Sequence, residues 1–450
     1  MMKMRSPLGA CVAALALEAA AAAEAPEITL REDSAGVWTA EYRLAAPARR
    51  IVFLRNPNDW RVREWTPTDP DFAIVHIEGE SAIVRKDGRA FASVAARLPA
   101  RYVGLPKDYA PFSPFSDGGV LIYTGQFHAC PEAATCGDVW RMRIEPIGGS
   151  RIIADGSSRP APAEIESRNS GANIYAGSGE AIETPHVVAL IDPGLPEAVS
   201  ALLSELLPRY MDYFAAAFGG LSAKPALFVS LDPAPPAGTG LSSQGGTLPG
   251  QIFMHFYGEG WRDAPASSFE GFLPWFFAHE AAHLYQSEGI EAPFAMAASW
   301  IHEGGADALA ARALTEIGGA NADYVTKRVK ASLDQCANEL RLLEQPLNAA
   351  GEAGRFDAYY ACGLLIHLAI DADVRRASGG ARSLLDVWKA YIAKLRGGEA
   401  GGQGSFLVSA RAAGATVSAN FAVDLASLRQ EDPAAFLRSG LAASGYALAD

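Results

Sequence analysis

Cysteine is rare in this sequence, 5 in 450 residues, and no two stand in the C-x-x-C spacing of thiolate zinc sites, which argues against a metal knuckle or ribbon. Cations are outnumbered: 38 Lys and Arg face 51 Asp and Glu, a formal net charge of −13. Nucleic-acid phosphates demand a basic surface, so nucleic acid is not an expected partner. Beyond the first 23 residues there is no second long apolar run, so no integral membrane segment is expected in the mature chain. Histidine is sparse too, at 8 residues. An H-E-x-x-H pattern then arises by accident in roughly one such chain in a hundred.

What is present begins with a basic start (Lys3, Arg5), an Ala/Leu/Val run and small residues at Ala21 and Ala23. This is the pattern of a cleaved secretory signal over 1–23, which implies a periplasmic or secreted protein. Its removal takes Cys11 with it and leaves Cys130, Cys136, Cys336 and Cys362. An even number in an oxidising compartment suits two disulfides. Proximity in sequence favours Cys130 with Cys136 and Cys336 with Cys362.

A chain of this length, 49% hydrophobic, can bury the cores of two or three domains. Stretches 37–44, 50–54, 73–77, 120–123 and 140–144 are rich in β-branched and aromatic residues and bounded by Pro, Gly, Asp or Asn. They predict an antiparallel β-domain over 24–172. Trp60 and Trp65 within it are either ligand-binding aromatics or core. Residues 155–173, rich in Ser, Pro, Gly and charge, read as a linker. Beyond it, 187–191 and 226–231 read as strands on either side of a helix over 196–218, and 233–250 as a long Pro/Gly/Ser segment. Amphipathic helices follow over 321–396, interrupted near 345–354, with a flexible break at 397–404.

The chemistry is concentrated in Phe276-Phe277-Ala278-His279-Glu280-Ala281-Ala282-His283-Leu284-Tyr285. Histidines four apart project from one helix face, so both imidazoles can reach one small cation, with Glu280 beside it. Twenty residues after His283 comes Glu303, in Trp300-Ile301-His302-Glu303-Gly304-Gly305-Ala306-Asp307. Catalytic zinc takes three protein ligands, and His, His, Glu is one known set. The expected ligands of Zn2+ are therefore His279, His283 and Glu303. His302, next to a ligand on a helix, should point away from the metal.

H-E-x-x-H followed by W-x-x-E-G-x-A, with the Glu303 to Asp307 spacing, resembles the gluzincin metallopeptidases, which include thermolysin-like, aminopeptidase-N-like and glycyl aminopeptidase enzymes. The resemblance spans about 185–395. It implies an α+β chain in which the N-terminal antiparallel β-domain precedes a thermolysin-like catalytic domain over 173–450, mostly helical in its C-terminal half. The implied activity is hydrolysis of peptide bonds by a water that the metal binds and Glu280 activates. Asp307 would orient His279, and Tyr360, in Tyr359-Tyr360-Ala361-Cys362-Gly363, would match the catalytic tyrosine of the aminopeptidase-type enzymes, with Cys362 replacing their lysine. The resemblance also implies a sheet-edge strand on which a peptide lies, expected at 251–257, with His255 as a possible substrate contact. Aminopeptidases of the group carry there a Gly-rich motif ending in Glu that holds the substrate's amine, and 249–254 has no Glu. Peptide or protein substrates are thus expected, with an aminopeptidase, or a weakly catalytic binding module of the same fold, as alternatives.

Overall fold

The computed structural model describes residues 24–131, 136–234, 238, 240–261, 263–290, 298–317 and 322–448. The expected leader over 1–23 lies outside them. Three sheets form the N-terminal part. The largest runs in the order Ala163–Arg168, Val139–Glu145, Glu27–Ser34, Val37–Ala48, Phe91–Pro99, Thr66–Pro67. All its pairings are antiparallel except Glu27–Ser34 with Val139–Glu145. Trp60 and Trp65 are both buried in this core, edge-on to each other. They pack around the buried Arg61, whose guanidinium lies over both rings and donates to main-chain oxygens of Arg55 and Gln126. They are core residues.

The stretch read as a linker is instead strand. Ser157–Pro160 and Ala163–Arg168 both pair antiparallel, and Asn173–Gly177 joins Val120–Tyr123 and Arg151–Ala154 in a five-stranded sheet. Its turn-forming composition reflects the tight connections around Gly156, at φ +63°, and Gly171, at φ +73°, which only glycine adopts without strain.

The second part is built on a mixed sheet ordered Ile182–Glu183, Val188–Ile191, Ala226–Leu231, Gln251–Tyr257, Ser242–Leu248. The middle three strands are parallel. Ala226–Leu231 is buried along its whole length and Gln251–Tyr257 nearly so, as strands covered on both faces must be. Gln251–Tyr257 is therefore internal, and the edge is Ser242–Leu248, inside the Pro/Gly/Ser segment 233–250. That strand was hidden because Ser-Ser-Gln-Gly-Gly-Thr-Leu lacks apolar alternation. One sheet of each part meets the other through Phe115, Leu121, Tyr175, Val188, Phe228 and Phe253.

Helices Glu197–Phe218, Phe272–Ser287, Ser299–Ile317, Ala322–Leu343, Asp357–Ser378 and Leu384–Arg396 follow the sequence reading closely, and three more run to Ser444. Phe272–Ser287 is buried from Leu273 to Gln286 except at Phe276, consistent with its apolar composition all round. Pro274 falls in its first turn, where its missing N–H is harmless. Cys130 is bonded to Cys136 and Cys336 to Cys362, with Cα separations of 5.8 and 4.9 Å. No helix of the described residues is long and apolar enough to cross a membrane.

Ser299–Ile317 and Asp357–Ser378 cross backbone to backbone. A Cβ on Gly304 would sit 2.2 Å from the Cα of Gly363, and one on Gly363 would sit 2.4 Å from the Trp300 carbonyl oxygen. Gly363→Ala should cost about 1–3 kcal/mol of folding free energy through overpacking. Urea unfolding measures this, with Gly404→Ala, whose Cβ would meet nothing within 4 Å, as the neutral comparison. Equal stability of the two variants would show that the crossing is looser than drawn.

Candidate active site

The two helices that carry the motifs lie against each other so that three side chains converge. His279 and His283 face the same way from Phe272–Ser287, with their Nε2 atoms 2.9 Å apart. Glu303, from the first turns of Ser299–Ile317, places Oε2 3.2 Å from His283 Nε2 and 3.5 Å from His279 Nε2. A tetrahedral zinc ion with bonds of about 2.0–2.1 Å needs ligand atoms roughly 3.3 Å apart. The three atoms fit that requirement. Among the described residues they are the group of histidines, cysteines and acids with metal-site spacing.

The outer nitrogens are committed elsewhere, which fixes the tautomers. His279 Nδ1 lies 2.8 Å from Asp307 Oδ1, which also accepts from Trp275 Nε1 at 2.8 Å. A carboxylate can only accept, so Nδ1 carries the proton and Nε2 offers its lone pair. Gln286 does the same for His283, with Oε1 2.8 Å from Nδ1, while its Nε2 donates to the His302 carbonyl at 3.2 Å. Gln286 and Trp275 were not recognised in the sequence, although Gln286, three residues after His283 on the same helix, is at neighbour spacing.

Electrostatically the pocket favours a cation. Burial resists charge on His279, but the carboxylates of Asp307, Glu303 and Glu280 outweigh it and raise its pKa well above the ordinary value. Burial likewise resists ionisation of Glu303, and the bonds and charges of the two histidines override it, holding the carboxyl far below the usual range. Glu280 is buried at the rim, and the Thr247 hydroxyl donates to both its carboxylate and its main-chain oxygen. Tyr360 stacks on the His279 ring at 5.9 Å. Burial first, then the negative Glu303 beside it, drives its phenol above the ordinary range, so it stays a donor. Tyr359, on the next face of the helix, is buried, donating to the Asn348 carbonyl at 3.2 Å and accepting from Gly351 N–H at 2.8 Å.

These residues open onto a cleft of about 840 Å³. It is lined by the edge strand from Gly245 to Leu248, continuing through Pro249 to Gln251, and also by Leu221–Lys224, Asp155 and Ser287–Ile290. Gly245-Gly246-Thr247 is the Gly-rich run of this edge, one strand earlier than the sequence reading placed it. His302 does not point away: it lines the cleft and stacks on His283 at 4.1 Å. His255 is not a cleft residue. It is fully buried, paired with Ser230 Oγ at 2.7 Å and held near pKa 3 by desolvation.

No protein-family model matches the chain, and no curated protein matches it significantly. Solved structures do. An aminopeptidase N family protein from Idiomarina loihiensis superposes with TM-score 0.56 at 11% identity, covering 85% of this chain and 70% of that one. Yeast LTA4 hydrolase in complex with bestatin gives TM-score 0.50 at 12% identity, covering 91% and 68%. At such identities the likeness concerns the fold, which is gluzincin and aminopeptidase-like: an N-terminal β-domain ahead of a zincin-type part with a mostly helical C-terminal half.

Because Asp307 and Gln286 fix the two imidazoles, Asp307→Ala or Gln286→Ala should weaken zinc binding about 10- to 100-fold. Competition against a chromophoric chelator reads this directly. Affinity unchanged in both would mean that the histidines need no outer partner.

Proposed function

We propose that this protein is an exported zinc-dependent peptidase that cuts within extended chains. The carrying observation is the convergence of His279, His283 and Glu303 at tetrahedral spacing beside the carboxylate of Glu280. His279, His283 and Glu303 would hold the metal, which when bound supplies Lewis acidity and lowers the pKa of a coordinated water to about 7. Glu280 takes a proton from the attacking water and returns it to the leaving nitrogen. Thr247 keeps that carboxylate aimed. Tyr360 donates to the oxygen that gains charge in the transition state. Asp307 orients His279. Gly245–Leu248 lies in the outermost strand of its sheet, an edge to which a peptide can add as a further strand.

The likeness to an aminopeptidase N family protein favours an aminopeptidase, which requires a carboxylate for the substrate's amine. On the edge strand the residue after Gly245-Gly246-Thr247 is the buried Leu248. Among the described cleft acids, Glu280 and Glu303 serve the chemistry, Asp155 faces Arg159 at 3.3 Å and Glu288 accepts from Ser222 N–H at 2.8 Å. Internal cleavage is the better reading. The binding-module alternative leaves Glu280 without a purpose. Export draws support from the leader pattern and from two disulfides. The proposed organisation is a leader over 1–23, a β-domain from 24 and a catalytic part to 450, with the boundary moved from 172 to just after Gly177, because Asn173–Gly177 belongs to a sheet of the first part.

Glu280→Gln should lower kcat about a hundredfold or more with zinc retained, and Tyr360→Phe roughly a hundred- to a thousandfold with little change in KM. Steady-state kinetics with metal analysis checks both, and wild-type turnover in either variant would remove that residue from the mechanism. A peptide and its N-acetylated form should be cleaved at comparable rates, at the same internal bonds by mass spectrometry. Cleavage confined to the free-amine form would restore the aminopeptidase reading.

A further inference from the structure

Tyr109 belongs to the N-terminal part yet lines the cleft. Its ring is wedged edge-on against Tyr123 at 5.3 Å and Phe253 at 4.7 Å. The hydroxyl overhangs the edge strand: a Cβ on Gly246 would lie 2.7 Å from it. Burial, then the negative charge of Glu280, pushes this phenol up to about 12, with Arg55 opposing, so it is a proton donor at neutral pH. We propose that Tyr109 is a substrate-positioning residue whose hydroxyl hydrogen-bonds the main chain of a peptide laid along Gly245–Leu248. This rests on reading the cleft as a peptide site.

The phenol is held in the frame of the strand that would carry substrate. Gln244, on that strand, accepts from Ala110 N–H at 3.3 Å and donates to the Asp108 carbonyl at 3.1 Å, so its amide pairs with this segment as a neighbouring strand would. Gln126 donates to the Tyr109 carbonyl at 2.9 Å, and Asp108 accepts from Tyr109 N–H at 2.9 Å and from Arg55 at 3.0 Å. The main chain of Asp108–Ala110 is thus fixed on both sides, leaving the hydroxyl over a glycine. Gly246 is required there because any side chain would displace the phenol. Phe276 imposes the same on Gly245, where a Cβ would meet its ring at 2.6 Å. The glycine pair lets these two rings close directly onto the strand backbone, and the strand's outer edge is the side left for a peptide.

The test uses the full-length protein, an extended fluorescent peptide and Tyr109→Phe, which keeps the ring packing. Affinity is read by anisotropy in the Glu280→Gln background, and kcat and KM in the active one. Losing one hydrogen bond should weaken binding and raise KM roughly three- to tenfold, with kcat, zinc content and Tm little changed. Tyr123→Phe, which removes a hydroxyl bonded to the Ser170 carbonyl at 2.6 Å in the same aromatic cluster, should leave KM alone. Gly246→Ala should raise KM in the wild type and cost less beside Tyr109→Phe, since the two changes disturb one contact. Chelator-sensitive cleavage with affinity and KM indifferent to Tyr109→Phe overturns the inference alone. Tyr109-dependent binding of a peptide that the wild type never cleaves upholds it and overturns the hydrolytic reading instead.

Discussion

The site depends on one close approach, that of Gly304 to Gly363. With no side chain between them the helices Ser299–Ile317 and Asp357–Ser378 touch backbone to backbone, and a Cβ on either would collide. Glu303 is the residue before one glycine and Tyr360 lies three before the other, so the contact that forbids side chains also sets the distance between the third metal-site residue and the phenol beside it. The Cys336–Cys362 bond ties the second of these helices to Ala322–Leu343 one residue from the crossing. The glycines in E-G-G-A and Y-x-x-G are thus explained by packing, and the chemistry inherits its geometry from them.

A second constraint is hydrogen-bond commitment. Each imidazole has two nitrogens, and in this site it is Nε2 of both that turns toward the other candidate ligand atoms. Asp307 and Gln286 settle the choice from outside, one as a carboxylate shared with Trp275 and one as an amide anchored on the His302 carbonyl. Buried polar groups of this kind must be satisfied or they destabilise the core. Here the satisfaction also aims the lone pairs.

The cleft belongs to both parts of the chain. The apolar seam of Phe115, Tyr175, Phe228 and Phe253 holds a sheet of the β-rich part against the mixed sheet, and full burial of each such side chain contributes about 1.5–3 kcal/mol. Over that seam Asp108–Ala110 reaches the edge strand through Gln244. Thr247, on the same strand, reaches Glu280. One strand therefore joins the N-terminal part, the carboxylate and the bare backbone edge.

The sequence by itself put His279, His283 and Glu280 on one helix and located most of the helices, because 3.6-residue spacing fixes which side chains share a face; Glu303 came from the ligand sets of zinc, and the cysteine pairs from nearness in sequence. It also placed Tyr360 and Asp307 near the site, by resemblance. Only the tertiary structure decided which strand is the edge, since Ser242–Leu248 owes its strand state to pairing with Gln251–Tyr257 rather than to its own composition. The same holds for Ser157–Pro160 and Asn173–Gly177, strands by partnership inside turn-rich text. His255 carried no local mark of burial, Tyr109 none of the cleft, and His302 was misplaced because helix geometry fixes a direction but not what the neighbouring helix brings to meet it. Contacts between residues far apart in the chain have no period to read, and those are the contacts that built the cleft.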